Sequence, residues 1–278
     1  MNALKKFLEE EALAINSVAK NLSNEHVEKA LLTLNNCREN KGKLIISGVG
    51  KSGIIARKIA ATFSSLGLTS IYLNPIDALH GDLGLVNSED ICLLISNSGE
   101  TGEILQLLPH LIRRGSQIIG LVGRAKSTLG RSSQIVLEAK VDKEVCPLNL
   151  APTTSTSVAM AIGDALAAEF IRRSSISRSD FAFNHPAGSL GKKLLLTARD
   201  LMIPIQNFTS LHLDTKLTGI IATITKDGMG VGMVKEKINS GKMLGIITDG
   251  DLRRALEQNP HDKWANLSAA DIMTKSPL

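Results

Sequence analysis

Apolar positions along this chain follow two different periods. Near the start they recur every three to four residues, at Leu4, Leu8, Leu13 and Ile15 and then at Val27, Leu31 and Leu34. That spacing predicts two amphipathic helices, over residues 2–20 and about 24–38, with Ser23 as the cap between them and Glu25 in the first turn of the second. Beyond residue 40 the pattern changes to short apolar runs, which predict strands at 43–47, 69–73, 91–95, 117–122 and 134–137. The run Ile91-Cys92-Leu93-Leu94-Ile95 has no polar face, as expected of a strand buried on both sides of a parallel sheet. Helical patterns at 54–65, 104–114 and 153–173 lie between or after these strands. The alternation predicts an α/β protein with a doubly wound parallel sheet and helices on both faces.

Candidate chemistry gathers where strands end. After the strand at 91–95 the chain turns through Ser96, Asn97, Ser98, Gly99, Glu100 and Thr101 into an amphipathic segment. Three hydroxyls, a glycine and the unpaired N–H groups of a helix start suit an anion such as a phosphate. A simple strand-to-helix turn capped by Ser98 or Thr101 is the plainer reading. The loop Gly48-Val49-Gly50-Lys51-Ser52-Gly53 formally matches GxGxxG after a strand, but the second strand ends Tyr72-Leu73-Asn74, without the acidic residue that a dinucleotide ribose needs. Nor is it a P-loop, because the first glycine of that motif would fall at Ile45. A third hydroxyl cluster, Thr153, Thr154, Ser155, Thr156 and Ser157, heads the helix at 153–173. Three such clusters can converge at the carboxyl edge of one sheet, where open α/β sheets bind ligands.

Composition narrows the class. With 278 residues and 43% hydrophobic content, the chain can bury a sizeable core in one large domain or two smaller ones. Aromatics make up 3%, too few for base-stacking platforms or a lectin groove. The net charge of +5 is spread along the chain and forms no basic arm, so no nucleic-acid partner is expected. Cys37, Cys92 and Cys146 are odd in number and far apart, as in a reducing compartment, and Cys92 is expected to be a small core residue. The start of the chain is acidic where a signal peptide needs an apolar run, and no stretch approaches the roughly 20 apolar residues of a membrane span. A cytoplasmic location and no membrane association are expected.

Taken together, residues 48–53, 96–101 and Ala151-Pro152-Thr153-Thr154-Ser155-Thr156 resemble the sugar-isomerase (SIS) fold of phosphosugar enzymes. His80-Gly81-Asp82-Leu83-Gly84, Lys143-Glu144-Val145-Cys146-Pro147-Leu148 and His185-Pro186-Ala187-Gly188-Ser189-Leu190-Gly191 narrow the resemblance to the D-arabinose 5-phosphate isomerase family. The resemblance, over about residues 1 to 258, implies an aldose–ketose isomerase interconverting D-ribulose 5-phosphate and D-arabinose 5-phosphate, usually for Kdo synthesis in lipopolysaccharide or capsule. It implies that Lys51, His80, Glu103, Glu144 and His185 are active-site residues, with His185 supplied by a neighbouring subunit of a homotetramer. It also implies a phosphate held by Ser52, Ser96, Ser98, Thr101, Thr153, Thr154, Ser155 and Ser157. The residue types suit the task independently: a carboxylate can move a carbon-bound proton, a histidine can serve hydroxyl protons, and a cation can steady an enediolate. Each also has a plain reading: Glu103 as a first-turn carboxylate, Glu144 as an exposed loop residue, Lys51 as a surface lysine and the histidines as core or capping groups. Sequence leaves the base open between Glu103 and Glu144. Neither CxxC nor HxxxH spacing occurs, so no metal or other cofactor is expected.

The tail differs. The SIS domain is expected to span 1–191, followed by a linker at 192–205. Gly245-Ile246-Ile247-Thr248-Asp249-Gly250-Asp251-Leu252 resembles the end of a CBS repeat, placed at 206–258 with strands at 230–235 and 243–248. Asp271-Ile272-Met273-Thr274-Lys275-Ser276-Pro277 echoes Asp200-Leu201-Met202-Ile203-Pro204, as if a second, truncated repeat opened at 259–278. This smaller α+β module departs from the paired repeats of the family, which leaves nucleotide binding there open. The alternatives to the isomerase are an enzyme acting on another sugar phosphate and an SIS-type phosphosugar sensor. A sensor of the transcription-regulator kind needs a helix-turn-helix, and the roughly 40 residues before the first strand are too few and too acidic to hold one plus the domain's own helices.

Overall fold

The structure is a computed structural model that describes residues 3–204, 207–236 and 242–277. Residue 2 of the expected first helix, residues 205 and 206 at the linker–repeat boundary, and residue 278 lie outside them. The chain divides into two compact units, Met1–Leu195 and Leu196–Leu278.

The first unit is built on five parallel strands: β1 (Leu44–Gly48), β2 (Ser70–Tyr72), β3 (Ile91–Ser96), β4 (Gln117–Val122) and β5 (Ile135–Glu138), in the order β2-β1-β3-β4-β5. Each apolar run divides between the two sheet faces by simple alternation. Leu44, Ile46, Leu93, Ile95 and Leu121 face one layer, and Ile45, Cys92, Leu94 and Val122 face the other. The first layer is α1 (Ala3–Asn21), α2 (Asn24–Glu39), α3 (Lys51–Ser65) and α7 (Thr154–Arg173); the second includes α4 (Pro75–Leu79), α5 (Gly102–Arg113) and α6 (Thr128–Ser132). Two short helices, α8 (Arg178–Phe183) and α9 (Ser189–Leu195), complete the unit. Burial pushes the Cys92 thiol up to about 12, in keeping with an inert core residue. Phe63 of α3 meets Phe170 of α7 edge-on, with ring centroids 5.6 Å apart.

This strand order sets the place of a site. From β1 the chain moves outward to β2, crosses back to β3, and then proceeds the other way to β4 and β5. The loops leaving β1 and β3 therefore diverge, opening a crevice at their carboxyl ends. Most element boundaries differ from the sequence reading by one or two residues, and α3 begins at Lys51, three residues before the expected 54. Gly50, at φ 59° and ψ −124°, is the last non-helical residue, so Lys51, Ser52 and Gly53 form the first helical turn.

The second unit is α+β. It contains α10 (Ala198–Leu201), α11 (Leu217–Asp227), α12 (Asp249–Gln258) and α13 (Ala269–Ile272), with a sheet of β6 (Ser210–Leu211), β7 (Val231–Lys235), β8 (Met243–Thr248) and β9 (Thr274–Lys275). Leu211, Ile220, Ile224, Val234 and Ile247 form its core. The two longer strands match the apolar runs; β6 and β9, of two residues each, are too short to leave a periodic signal. The expected linker is partly helical, since 192–195 finish α9 and 198–201 form α10. The echo noted in the sequence extends to local structure: Thr197 with Asp200, and Ser268 with Asp271, make the same capping box before a four-residue helix. Among the described residues no helix is long and apolar enough to cross a membrane.

Candidate active site

The glycine loop after β1 uses its three glycines differently. A Cβ on Gly48 would sit 2.8 Å from the Ser52 backbone, and one on Gly53 would sit 2.7 Å from the Gly48 carbonyl, so strand and helix could not approach this closely. A Cβ on Gly50 would meet nothing within 4 Å, and glycine is needed there for its positive φ alone. The result brings the start of α3 onto the crevice. Ser52 lines it together with Lys51, whose side chain is exposed.

The loop after β3 is held from inside. Ser96 is buried at 2% exposure, its hydroxyl lies 2.8 Å from that of Thr101, and it accepts the Gly99 N–H at 3.0 Å. Gly99, at φ 68°, packs where a Cβ would collide with the Ser127 side chain. Glu100 turns away and accepts the Thr128 N–H at the start of α6. Ser98 is exposed and its hydroxyl accepts the Glu100 N–H. Asn97 lies over Gly123 at the end of β4 and lines the crevice.

At the start of α7 the chain supplies its own anion. Glu144 Oε2 accepts the Thr153 N–H at 2.8 Å, the Ser155 N–H at 3.1 Å and the Thr153 hydroxyl at 3.1 Å, while Oε1 accepts the Ser155 hydroxyl. Burial alone would raise this carboxyl; the bonds from Ser155 and Thr153 outweigh it and hold Glu144 below the ordinary carboxylate range. Thr154 is buried and its hydroxyl accepts the Val145 N–H. Ser157 donates to Glu11 on α1 at 3.0 Å.

The crevice is thus lined by Lys51, Ser52, Asn97, Pro152, Ser155 and Thr156, from the ends of β1 and β3 and the start of α7. Lys51, Ser52 and Ser155 come together; Glu103 lies in the first turn of α5 after β3, Glu144 follows β5, and His80 ends α4, the helix that follows β2. The side chains of His80 and Glu103 have no hydrogen-bond partner among the described residues. Ser96 and Thr154, which are buried, and the half-buried Thr101 and Ser157, all expected as phosphate ligands, also make hydroxyl contacts within the protein. Glu144, which sequence also allowed as an exposed loop residue, is half-buried.

His185 is elsewhere. Its neighbour Asn184 donates to the carbonyl of Ser65, at the far end of α3 from Lys51. Its ring stacks on Phe181 with centroids 3.9 Å apart, and Nδ1 donates to the Phe181 carbonyl at 2.8 Å, which leaves Nε2 as the acceptor of the neutral ring. Asn97 carries no ligand signal in the sequence; its position beside Gly123, just past β4, is a tertiary one.

Residues 38–169 match the SIS domain family. Arabinose 5-phosphate isomerase KpsF of Escherichia coli is 41% identical over 278 residues, covering 100% of this chain and 85% of the relative. The chain belongs to the arabinose 5-phosphate isomerase family. Arabinose 5-phosphate isomerase KdsD of Pseudomonas aeruginosa is 41% identical over 245 residues, 88% of this chain and 73% of that one. A solved structure from Escherichia coli CFT073, in complex with arabinose 5-phosphate, is 40% identical with a TM-score of 0.62, over 66% of this chain and 95% of that chain. This arabinose 5-phosphate isomerase family member has its crevice at the switch point of an SIS-type parallel sheet.

Proposed function

We propose that this chain interconverts D-ribulose 5-phosphate and D-arabinose 5-phosphate by moving a proton between C1 and C2 through a cis-enediol. The observation that carries the reading is the meeting of Lys51, Ser52 and Asn97 at the diverging ends of β1 and β3, in a chain of this family. The substrate phosphate takes the first turn of α3 and the exposed face of the 96–101 loop, where helix-start N–H groups remain. The start of α7 adds Ser155 and Thr156 to the crevice lining, with Glu144 accepting the Thr153 and Ser155 N–H groups beside them. Lys51 stabilises the developing oxyanion, a contribution on the order of 3–4 kcal/mol. Glu103 or Glu144 carries the proton between the carbons, and His80 and His185 assist ring opening and hydroxyl proton transfer.

His185 acts in the crevice of a second copy, and the assembly is a homotetramer. Its support is the exposure of Leu8 (61%) and Leu13 (67%) on α1, beside an apolar groove lined by Ile15, Val18, Leu31 and Val158. The second unit is a CBS-type repeat, supported by its α+β core and its repeated capping box. The reaction is placed in the cytoplasm and its product in Kdo supply.

Incubation with D-ribulose 5-phosphate in deuterated water tests the chemistry. D-arabinose 5-phosphate carrying deuterium at C2 supports it, unless the transferred proton is shielded from exchange. No aldose product would sink it.

A further inference from the structure

The ladder between β1 and β2 stops just before the crevice. In a parallel pair, every second residue of one strand donates to every second carbonyl of its neighbour. Leu73 N–H donates to the Ile46 carbonyl at 2.9 Å, so the next donor, to the Gly48 carbonyl, would be residue 75. That residue is Pro75, which has no N–H. The gap is filled by a side chain: the Tyr72 hydroxyl donates to the Gly48 carbonyl at 2.9 Å. Ser47, one residue earlier, donates its hydroxyl to the Leu73 carbonyl at 2.7 Å. Past this point the backbone ladder no longer ties β1 to β2.

We infer that Tyr72 is a positioning residue for the phosphate end of the crevice. Its phenol fixes the carbonyl of Gly48, the residue from which the glycine loop departs, and thereby the direction in which Lys51 and Ser52 enter α3. Gly53 is held by the same contact: a Cβ there would lie 3.0 Å from the Tyr72 hydroxyl. The Arg57 guanidinium covers the Tyr72 ring at 4.0 Å from its centroid, so α3, nearly two turns in, packs on the phenol that set its start. Tyr72 is the only tyrosine in the chain and is half-buried.

The inference rests on the crevice binding a phosphate, and its test keeps the two apart. Inorganic phosphate is titrated into the full-length protein by calorimetry, and KM and kcat for D-ribulose 5-phosphate are measured alongside. Tyr72→Phe is expected to weaken phosphate binding and raise KM by about 5–20-fold, with kcat changed by less than threefold. Ser47→Ala, which removes the neighbouring ladder contact without touching the glycine loop, is expected to lower the unfolding temperature and leave KM unchanged. A Tyr72→Phe protein that is less stable but has unaltered phosphate affinity and KM overturns the inference. If Tyr72→Phe does not fold, the exposed change Arg57→Leu carries the test: two- to fivefold weaker phosphate binding supports the inference, and unchanged binding overturns it. A wild-type protein that binds phosphate but does not turn over D-ribulose 5-phosphate overturns the proposed reaction and leaves Tyr72 to be judged by the phosphate titration.

Discussion

Asn184 is hydrogen-bonded to Ser65, at the opposite end of α3 from Lys51. At 1.5 Å per residue the helix separates those ends by about 21 Å. His185 adjoins Asn184, so within one chain it is too far away to serve a substrate held at Lys51. Complementation tests the consequence. Lys51→Ala and His185→Ala proteins, each inactive alone, should recover part of the wild-type turnover when their subunits are exchanged. No recovery with exchange confirmed would confine His185 to its own subunit.

Loss of the true base should lower kcat by about 10²–10⁴ with KM largely kept. Glu103→Gln and Glu144→Gln, compared under saturating D-ribulose 5-phosphate, identify it. Near-normal turnover in both variants would exclude the two glutamates as proton carriers.

Glu144 also makes a pH-dependent contribution to stability. Its folded-state pKa is depressed, so the contribution is present above the ordinary carboxylate range and is lost as pH falls through the depressed value. The difference in unfolding temperature between wild type and Glu144→Gln should therefore be constant above about pH 6 and shrink below about pH 4. A difference that grows on acidification would contradict the hydrogen-bond network at Thr153 and Ser155.

Gly50 separates backbone strain from crowding. Because a Cβ there meets nothing, Gly50→Ala should cost about 1–3 kcal/mol of local strain without a clash. The loop relieves that strain by shifting, so phosphate affinity should fall by tenfold or more while the far-UV circular dichroism stays native. Unaltered affinity would mean that the loop geometry does not set the site.

The crevice residues all belong to the first compact unit. A protein ending at Leu195 should keep most of its turnover per folded subunit, measured with its assembly state. Loss of activity with fold and assembly intact would show that the tail takes part in the chemistry.

The sequence by itself determined the layers and the edge on which a site had to lie. Runs such as 91–95 leave no polar face and must be buried twice, and strand–helix alternation forces parallel pairing, so the hydroxyl-bearing loops share one carboxyl edge. The glycine loop at 48–53 and the echo between 200–204 and 271–277 are likewise legible in the sequence, whereas the structure places the positive φ at Gly50 and the capping boxes at Thr197 and Ser268. What only tertiary structure decided is which polar atoms remain free. Ser96, Thr154 and Ser157 read as ligands in the sequence, and the fold adds protein partners for their hydroxyls in Thr101, Val145 and Glu11. Glu144 looks like a loop acid, yet it holds the start of α7. Tyr72 looks like the end of a strand until Pro75 leaves a carbonyl without its donor. Hydrogen-bond demand is local and legible at each residue. Which group satisfies it depends on distances between residues far apart in the chain, and those are set only when the sheet closes and the helices pack.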